Sequence, residues 1–78
     1  MGYWLMVNNQ LSLDAVKVRD VISRLNAAGW TLVATRGSHR QFKHPDRPGR
    51  VTVAGKTSDH LATGTLKSIA KQSGVALP

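Results

Sequence analysis

The sequence predicts an α+β domain in which a helix, three antiparallel strands and a second helix follow one another, an αβββα order. Three observations carry this prediction. A helical apolar stripe starts at Val18, three short segments rich in β-branched and aromatic residues follow it across tight turns, and a second apolar stripe ends before Gly74. Two helices on one face of a three-stranded sheet would bury both stripes and one side of the sheet.

The first helix is predicted over residues 18–28, because its apolar residues recur at intervals of three and four positions. These residues are Val18, Val21, Ile22, Leu25 and Ala28. Polar residues fill the opposite side, which is typical of a helix that packs on a core with one face only. Gly29 follows at the position where a left-handed glycine ends many helices.

Three strands are predicted next, and the short connections between them indicate an antiparallel meander. The strands cover residues 30–36, 39–44 and 51–54. Gly37 and Ser38 form the first turn, and residues 45–50, which contain two prolines and a glycine, are interpreted as a hairpin loop.

Alternation along the middle strand assigns its side chains to two faces. If Phe42 points into the core, Arg40 and His44 share its face. The opposite face, which we expect no helix to cover, carries His39, Gln41 and Lys43.

The second helix follows a connecting loop, with Thr63 as the predicted N-cap. Its smaller apolar stripe consists of Leu66, Ile69, Ala70 and Ser73, and Gly74 is expected to end it.

Residues 1–16 show no clear period, so we interpret them as an N-terminal extension, an alternative start or a tag remnant. Residues 17–78 then form a single domain. The N-terminus lacks the basic and long apolar regions of a signal peptide, and no run approaches the ~20 apolar residues of a membrane span. The chain has no cysteine. We therefore expect a cytoplasmic protein without disulfides.

Charge is the strongest global feature. Eleven Lys and Arg stand against four Asp, which gives a net charge of +7. Between Trp30 and Lys56 the one acidic residue is Asp46. A basic middle on a small domain favours a polyanionic partner, most often nucleic acid. A solubilising surface or an acidic protein partner are the alternatives.

The histidines and carboxylates are not arranged as a metal site. His39 and His44 are five apart on a strand and point to opposite faces, and the four aspartates are scattered. We therefore expect no metal and no other cofactor. The pattern also counts against two-metal nucleases and paired-carboxylate glycosidases.

The segment TRGSHRQFKHP, residues 35–45, offers a different chemistry. Metal-free RNA cleavage needs a base for the 2′-hydroxyl, an acid for the leaving oxygen and positive charge for the phosphorane. His39 suits the proton transfer, and Gly37 and Ser38 suit close approach to a phosphate. The cations available are Arg36, Arg40 and Lys43. An inert surface histidine beside an ordinary turn is the alternative.

Four segments, in this order and spacing, resemble the HicA family, the toxin half of HicA/HicB toxin–antitoxin pairs. They are AAGW, GSHRQFKHP, VTVAGK and GTLKSIAKQSG, and the likeness covers about residues 17–75. The loop between the last two departs from the family, because Thr57, His60 and Thr63 stand where relatives often carry proline and acidic residues.

The resemblance implies a double-stranded-RNA-binding-domain-like fold and a ribosome-independent mRNA interferase. It implies that His39 is the catalytic base or acid, and that Gly37 and Ser38 shape the phosphate site. It also implies a HicB-type antitoxin that binds the toxin and masks this histidine. A non-catalytic RNA-binding module and a purely protein-binding domain remain as alternative functions.

Overall fold

The computed structural model describes residues 16–77, which form two helices and one three-stranded antiparallel sheet. The elements in chain order are α1 (Val18–Ala27), β1 (Thr31–Arg36), β2 (His39–His44), β3 (Arg47–Ala54) and α2 (Thr63–Ser73). The predicted α+β class and αβββα order are confirmed.

Helix α1 begins where the sequence predicts and ends one residue earlier than predicted. The Asp20 carboxylate accepts the backbone N–H of Lys17 at 2.9 Å and so satisfies a donor at the start of the helix. Ala28 is the C-cap, and Gly29 follows with φ +97°. A Cβ at Gly29 would lie 2.8 Å from Nε2 of His44, so this position needs glycine for both its backbone angle and its space.

Strand β2 lies in the middle of the sheet, between β1 and β3. His39, the first residue of β2, therefore pairs with Arg36 on one side and with Ala54 on the other. The register of β1 against β2 shifts between Leu32 and Ala34, so β1 carries one extra residue there.

The predicted hairpin loop at residues 45–50 is wrong, because β3 already begins at Arg47, which pairs with His44. Only a two-residue turn joins the strands. Pro48 cannot donate a ladder hydrogen bond and Gly49 adopts φ +81°, and the register of the two strands shifts where these residues lie. The two residues that indicated a loop instead form an irregularity within a strand.

Both helices and one side of the sheet share a single apolar core. Its buried members are Val16, Val18, Val21, Leu25, Trp30, Phe42, Val51, Val53, Leu66 and Ile69. Because Phe42, Val51 and Val53 contribute from the sheet, both helices lie on the face that carries these three residues. We call the opposite side the open sheet face; it carries Arg36, His39, Gln41 and Arg50.

Helix α2 begins one residue earlier than predicted, at the residue predicted as its cap, and ends where predicted. Ala62 is the N-cap and Thr63 is already helical. At the other end the buried Ser73 hydroxyl donates to the Ile69 carbonyl at 2.7 Å and accepts the N–H of Val75 at 3.1 Å. Gly74 closes the helix with φ +72°, and its N–H donates to the carbonyl of Ala70.

The interpretation of residues 1–16 as an extension falls almost entirely outside the described range. Val16, its last residue, is 4% exposed and belongs to the core, and its carbonyl accepts the N–H of Leu61 at 3.0 Å. Neither helix within residues 16–77 is long and apolar enough to cross a membrane.

Candidate nucleic-acid site on the open sheet face

The site is built around the turn that joins β1 to β2. Gly37 adopts φ +56°, and no atom beyond its chain neighbours lies within 4 Å of the position that a Cβ would take. The turn is held against the end of β3, because Gly55 donates its N–H to the Ser38 carbonyl at 3.1 Å. His39 follows directly, on a backbone that is paired with strands on both sides.

The His39 side chain is exposed, as its predicted place on the open sheet face requires. Arg36 is its cross-strand neighbour on β1. Directly paired residues of neighbouring strands hold their side chains close together on one face. Arg36 and His39 are thus two predicted site residues that the fold brings side by side.

His39 lies in an open depression of about 330 Å³ on this face. The residues that line it are Ala34, Arg36, His39, Gln41 and Arg50. Arg50 of β3 donates from Nη1 to the amide oxygen of Gln41. Within residues 16–77 no carboxylate lines the depression, so its charge is positive and no acidic group of the lining balances it.

Gln41 and Arg50 were not among the predicted site residues. The alternation of β2 did place Gln41 on the face of His39. Arg50 carried no such signal, because the predicted loop at residues 45–50 gave it no strand register.

Arg40 lies on the other side of the sheet, as the alternation predicts. Its half-buried guanidinium donates from Nη1 to the Gly55 carbonyl at 2.7 Å and to the Ser38 carbonyl at 3.3 Å. These bonds tie the turn before His39 to the loop after β3. Arg40 therefore holds the turn in place from behind, and its guanidinium is directed away from the depression.

Lys43 is exposed but lies apart from the depression around His39. It lines a second, wider depression of about 580 Å³, together with Gly29, Thr31, His44 and Pro45. Lys43 is four residues further along β2, which corresponds to about 13 Å of strand. The fold does not place Lys43 among the side chains around His39.

The other histidines have different surroundings. His44 accepts the N–H of Asp46 on Nδ1 at 3.0 Å, so its proton is on Nε2, which donates to the Ala28 carbonyl at 3.0 Å. Its ring also packs on Trp30, with the centroids 5.3 Å apart. His44 is a structural residue that joins the β2–β3 turn to the end of α1. His60 is exposed in the loop before α2.

Two of the carboxylates act in loops and caps. Asp20 caps α1, and Asp59 accepts the N–H of Lys56 at 3.0 Å. No group of three or more His, Cys, Asp or Glu that could hold a metal ion occurs within the described part of the chain. The side chains around the depression on the open sheet face include one imidazole and two guanidinium groups, which are suited to proton transfer and to the binding of an anion.

Comparison with known proteins identifies a family for this chain. The family model for the HicA toxin of bacterial toxin–antitoxin systems matches residues 18–75, a range that includes all five elements and every residue that lines the depression. A search of curated proteins found no match. Because the family model covers most of the 78 residues, the chain belongs to the HicA toxin family of bacterial toxin–antitoxin systems.

Proposed function

We propose that this toxin is a metal-independent endoribonuclease that cleaves mRNA, with His39 as its catalytic acid and base. The observation that carries the proposal is the exposure of His39 in a depression that it shares with two arginines. Membership of a toxin family supports a chemical attack on an essential cell component. The net charge of +7 favours a polyanion as that component.

In the proposed reaction the neutral His39 imidazole accepts the proton of a ribose 2′-hydroxyl. The 2′-oxygen attacks the adjacent phosphorus, so the O2′–P bond forms and the P–O5′ bond breaks. The products are a 2′,3′-cyclic phosphate and a 5′-hydroxyl. Because arginine stays protonated in proteins, the proton that the leaving oxygen needs comes from water or from the His39 imidazolium.

Arg36 is positioned to stabilise the transition state of the proposed reaction. It is paired with His39 across the ladder, and its guanidinium offers several N–H donors to phosphate oxygens. The phosphorane carries more negative charge than the phosphodiester, so a fixed cation binds it more tightly than it binds the substrate. A phosphate can approach the turn of Gly37 and Ser38 at Gly37, since no atom beyond its chain neighbours lies within 4 Å of its Cβ position.

The test is RNA cleavage by His39→Ala, with His60→Ala as the matched control, in buffer that contains EDTA. We expect His39→Ala to lose cleavage and toxicity while its circular dichroism spectrum stays unchanged, because the side chain is exposed. His60→Ala should cleave like the wild type. Full cleavage by His39→Ala would refute the proposal.

The alternative is a non-catalytic RNA-binding module, which the basic face also permits. It predicts that the wild-type chain binds RNA and leaves it intact. A competition between duplex and single-stranded RNA separates the two functions: preference for duplex without cleavage favours the module.

We further propose that the antitoxin partner is of the HicB type and that it covers His39. An acidic antitoxin would meet Arg36 and Arg50 on the open sheet face by charge complementarity. Hydrogen exchange of the toxin in complex with a HicB-type antitoxin tests this. Protection should concentrate in the turn at residues 37–38 and in β2, and protection confined to the helices would contradict it.

A further inference from the structure

We infer that Arg50 is a phosphate-binding residue of this site and that Gln41 is the residue that positions it. This inference rests on the proposed function, because it assigns a role in RNA binding to a residue beside His39. The observation that carries it is the hydrogen bond from Arg50 Nη1 to the Gln41 amide oxygen, at the depression that His39 lines.

The bond to Gln41 affects the entropy that Arg50 loses when it binds a ligand. An arginine side chain on a protein surface is usually free to move, and it loses rotamer entropy when it binds a ligand. A hydrogen bond to Gln41 reduces that loss, since the guanidinium is already held at one of its nitrogens. Gln41 is half-buried and lies in the central strand, so its backbone is a fixed support for the amide.

Gln41 is also uncharged, so it leaves the positive charge of Arg50 intact. A glutamate at this position would hold the guanidinium equally well, but its negative charge would cancel the positive charge of Arg50 and repel a phosphate. An amide orients the cation and leaves its charge uncompensated. The four other donors of the guanidinium remain for phosphate oxygens.

The arrangement also fits the position of His39 in the sheet. Arg36 approaches from β1 and Arg50 from β3, while His39 and Gln41 lie on the strand between them. A phosphodiester that lies over the depression would thus meet one guanidinium group from each outer strand. Two such cations suit a group that gains negative charge in the transition state.

The test measures the affinity for a short single-stranded 2′-O-methyl RNA over a series of salt concentrations. This RNA has no free 2′-hydroxyl, so the full-length wild-type chain binds it without cutting it. Arg50→Gln should weaken binding about tenfold at low salt and flatten the log–log salt slope by about 0.7–1, the change expected for one lost phosphate contact. Arg24→Gln, which removes the same charge from an exposed position on α1, is the control.

The role of Gln41 is tested by a double-mutant cycle. Gln41→Ala should weaken binding in the wild-type background and have no further effect in the Arg50→Gln background. Gln41→Glu should weaken binding more than Gln41→Ala and flatten the salt slope, because it neutralises Arg50. Arg50→Lys should keep most of the salt slope but lose the coupling to Gln41.

The outcomes separate this inference from the proposed function. Equal affinities and salt slopes for Arg50→Gln and Arg24→Gln would overturn the role of Arg50, even if the wild type cleaves RNA. Additive effects of Gln41→Ala and Arg50→Gln would overturn the role of Gln41. Cleavage that fails in the wild type, with the predicted slopes intact, would refute the nuclease and leave an RNA-binding face.

Discussion

At the scale of single residues, the two histidines of β2 show how position decides role. His44 has both ring nitrogens engaged by backbone groups and packs on Trp30, so it holds the fold together. His39 is exposed at the other end of the strand, and no group within residues 16–77 forms a hydrogen bond with its ring. An imidazole that exchanges protons with a substrate needs the second environment.

Because Gly29 lies against His44, we expect one added methyl group at Gly29 to destabilise the fold strongly. Gly29→Ala places a Cβ 2.8 Å from Nε2 of His44 and a side chain on a backbone at φ +97°. We expect a loss of about 2–4 kcal/mol in the free energy of unfolding, measured by urea denaturation. Gly64→Ala is the control. No atom outside its own helical turn lies within 4 Å of the Cβ position of this helical residue, so the substitution should stabilise the fold by up to about 1 kcal/mol. Equal effects of the two changes would contradict this account.

We expect substitution of Arg40 to weaken the fold and substitution of Arg36 to weaken RNA binding, because their guanidinium groups lie on opposite sides of the sheet. Arg40→Ala removes the bonds to Ser38 and Gly55, so the free energy of unfolding should fall by about 1–2 kcal/mol. RNA cleavage should fall as well, while the salt slope of RNA binding stays unchanged.

Arg36→Ala should leave the free energy of unfolding within about 0.5 kcal/mol and flatten the salt slope by about 0.7–1. Urea denaturation and RNA titration of the same two proteins check both expectations. A change in salt slope for Arg40→Ala, with none for Arg36→Ala, would reverse the assignment.

At the scale of elements, the end of α2 depends on one buried hydroxyl. Ser73→Ala leaves the N–H of Val75 without its acceptor, and Ser73 is 2% exposed. The expected loss is about 1–2 kcal/mol in the free energy of unfolding. Ser68→Ala, which removes an exposed hydroxyl bonded to Gln72, should cost less than about 0.5 kcal/mol. Equal losses would show that the hydroxyl of Ser73 does not carry the end of the helix.

The elements could be predicted from the sequence wherever the hydrophobic periodicity and the residues that end helices and strands agreed. The stripe of α1, the alternation of β2 and the glycine after α2 each had a local signal, and the structure has all three. Strand β3 was predicted too short, because Pro48 and Gly49 have the composition of a loop. Arg47 pairs with His44 across a two-residue turn, and the types of these residues do not indicate that pairing.

The same reason limits what could be predicted of the site. His39, Gly37, Ser38 and Arg36 lie within four positions of one another, so local sequence was enough to group them. Arg50 reaches the depression only through the register of β3, which the sequence did not give. The tie between Arg40 and Gly55 joins a strand to a distant loop and could not be seen in an alternating pattern.

At the scale of the whole molecule, the helices and the apolar core lie behind the sheet and the candidate site lies in front. The sheet is a rigid support, because β2 is hydrogen-bonded on both sides. A site on such a strand keeps its geometry better than one on a loop. In the proposed function, the excess of basic residues would attract RNA to the front face over distances of about one Debye length, ~10 Å at 0.1 M salt.

This charge predicts a strong salt dependence for RNA binding. About four phosphate contacts would give a log–log slope of about −3 on single strands, or a loss of about 50-fold in affinity between 50 and 200 mM salt. Titration of a labelled single-stranded RNA by fluorescence anisotropy measures the slope. A slope near zero would favour a domain that binds only an acidic protein.

The chemical identity of the RNA ends tests the central claim most directly. Purified wild-type chain is incubated in EDTA with an RNA whose scissile ribose, once mapped, is replaced by 2′-deoxyribose, and with the unmodified RNA, and the products are analysed by mass spectrometry. The account predicts 2′,3′-cyclic phosphate and 5′-hydroxyl ends from the unmodified RNA and no cut at the deoxy position. Ends with 3′-hydroxyl and 5′-phosphate, or a cut at the deoxy position, would contradict it.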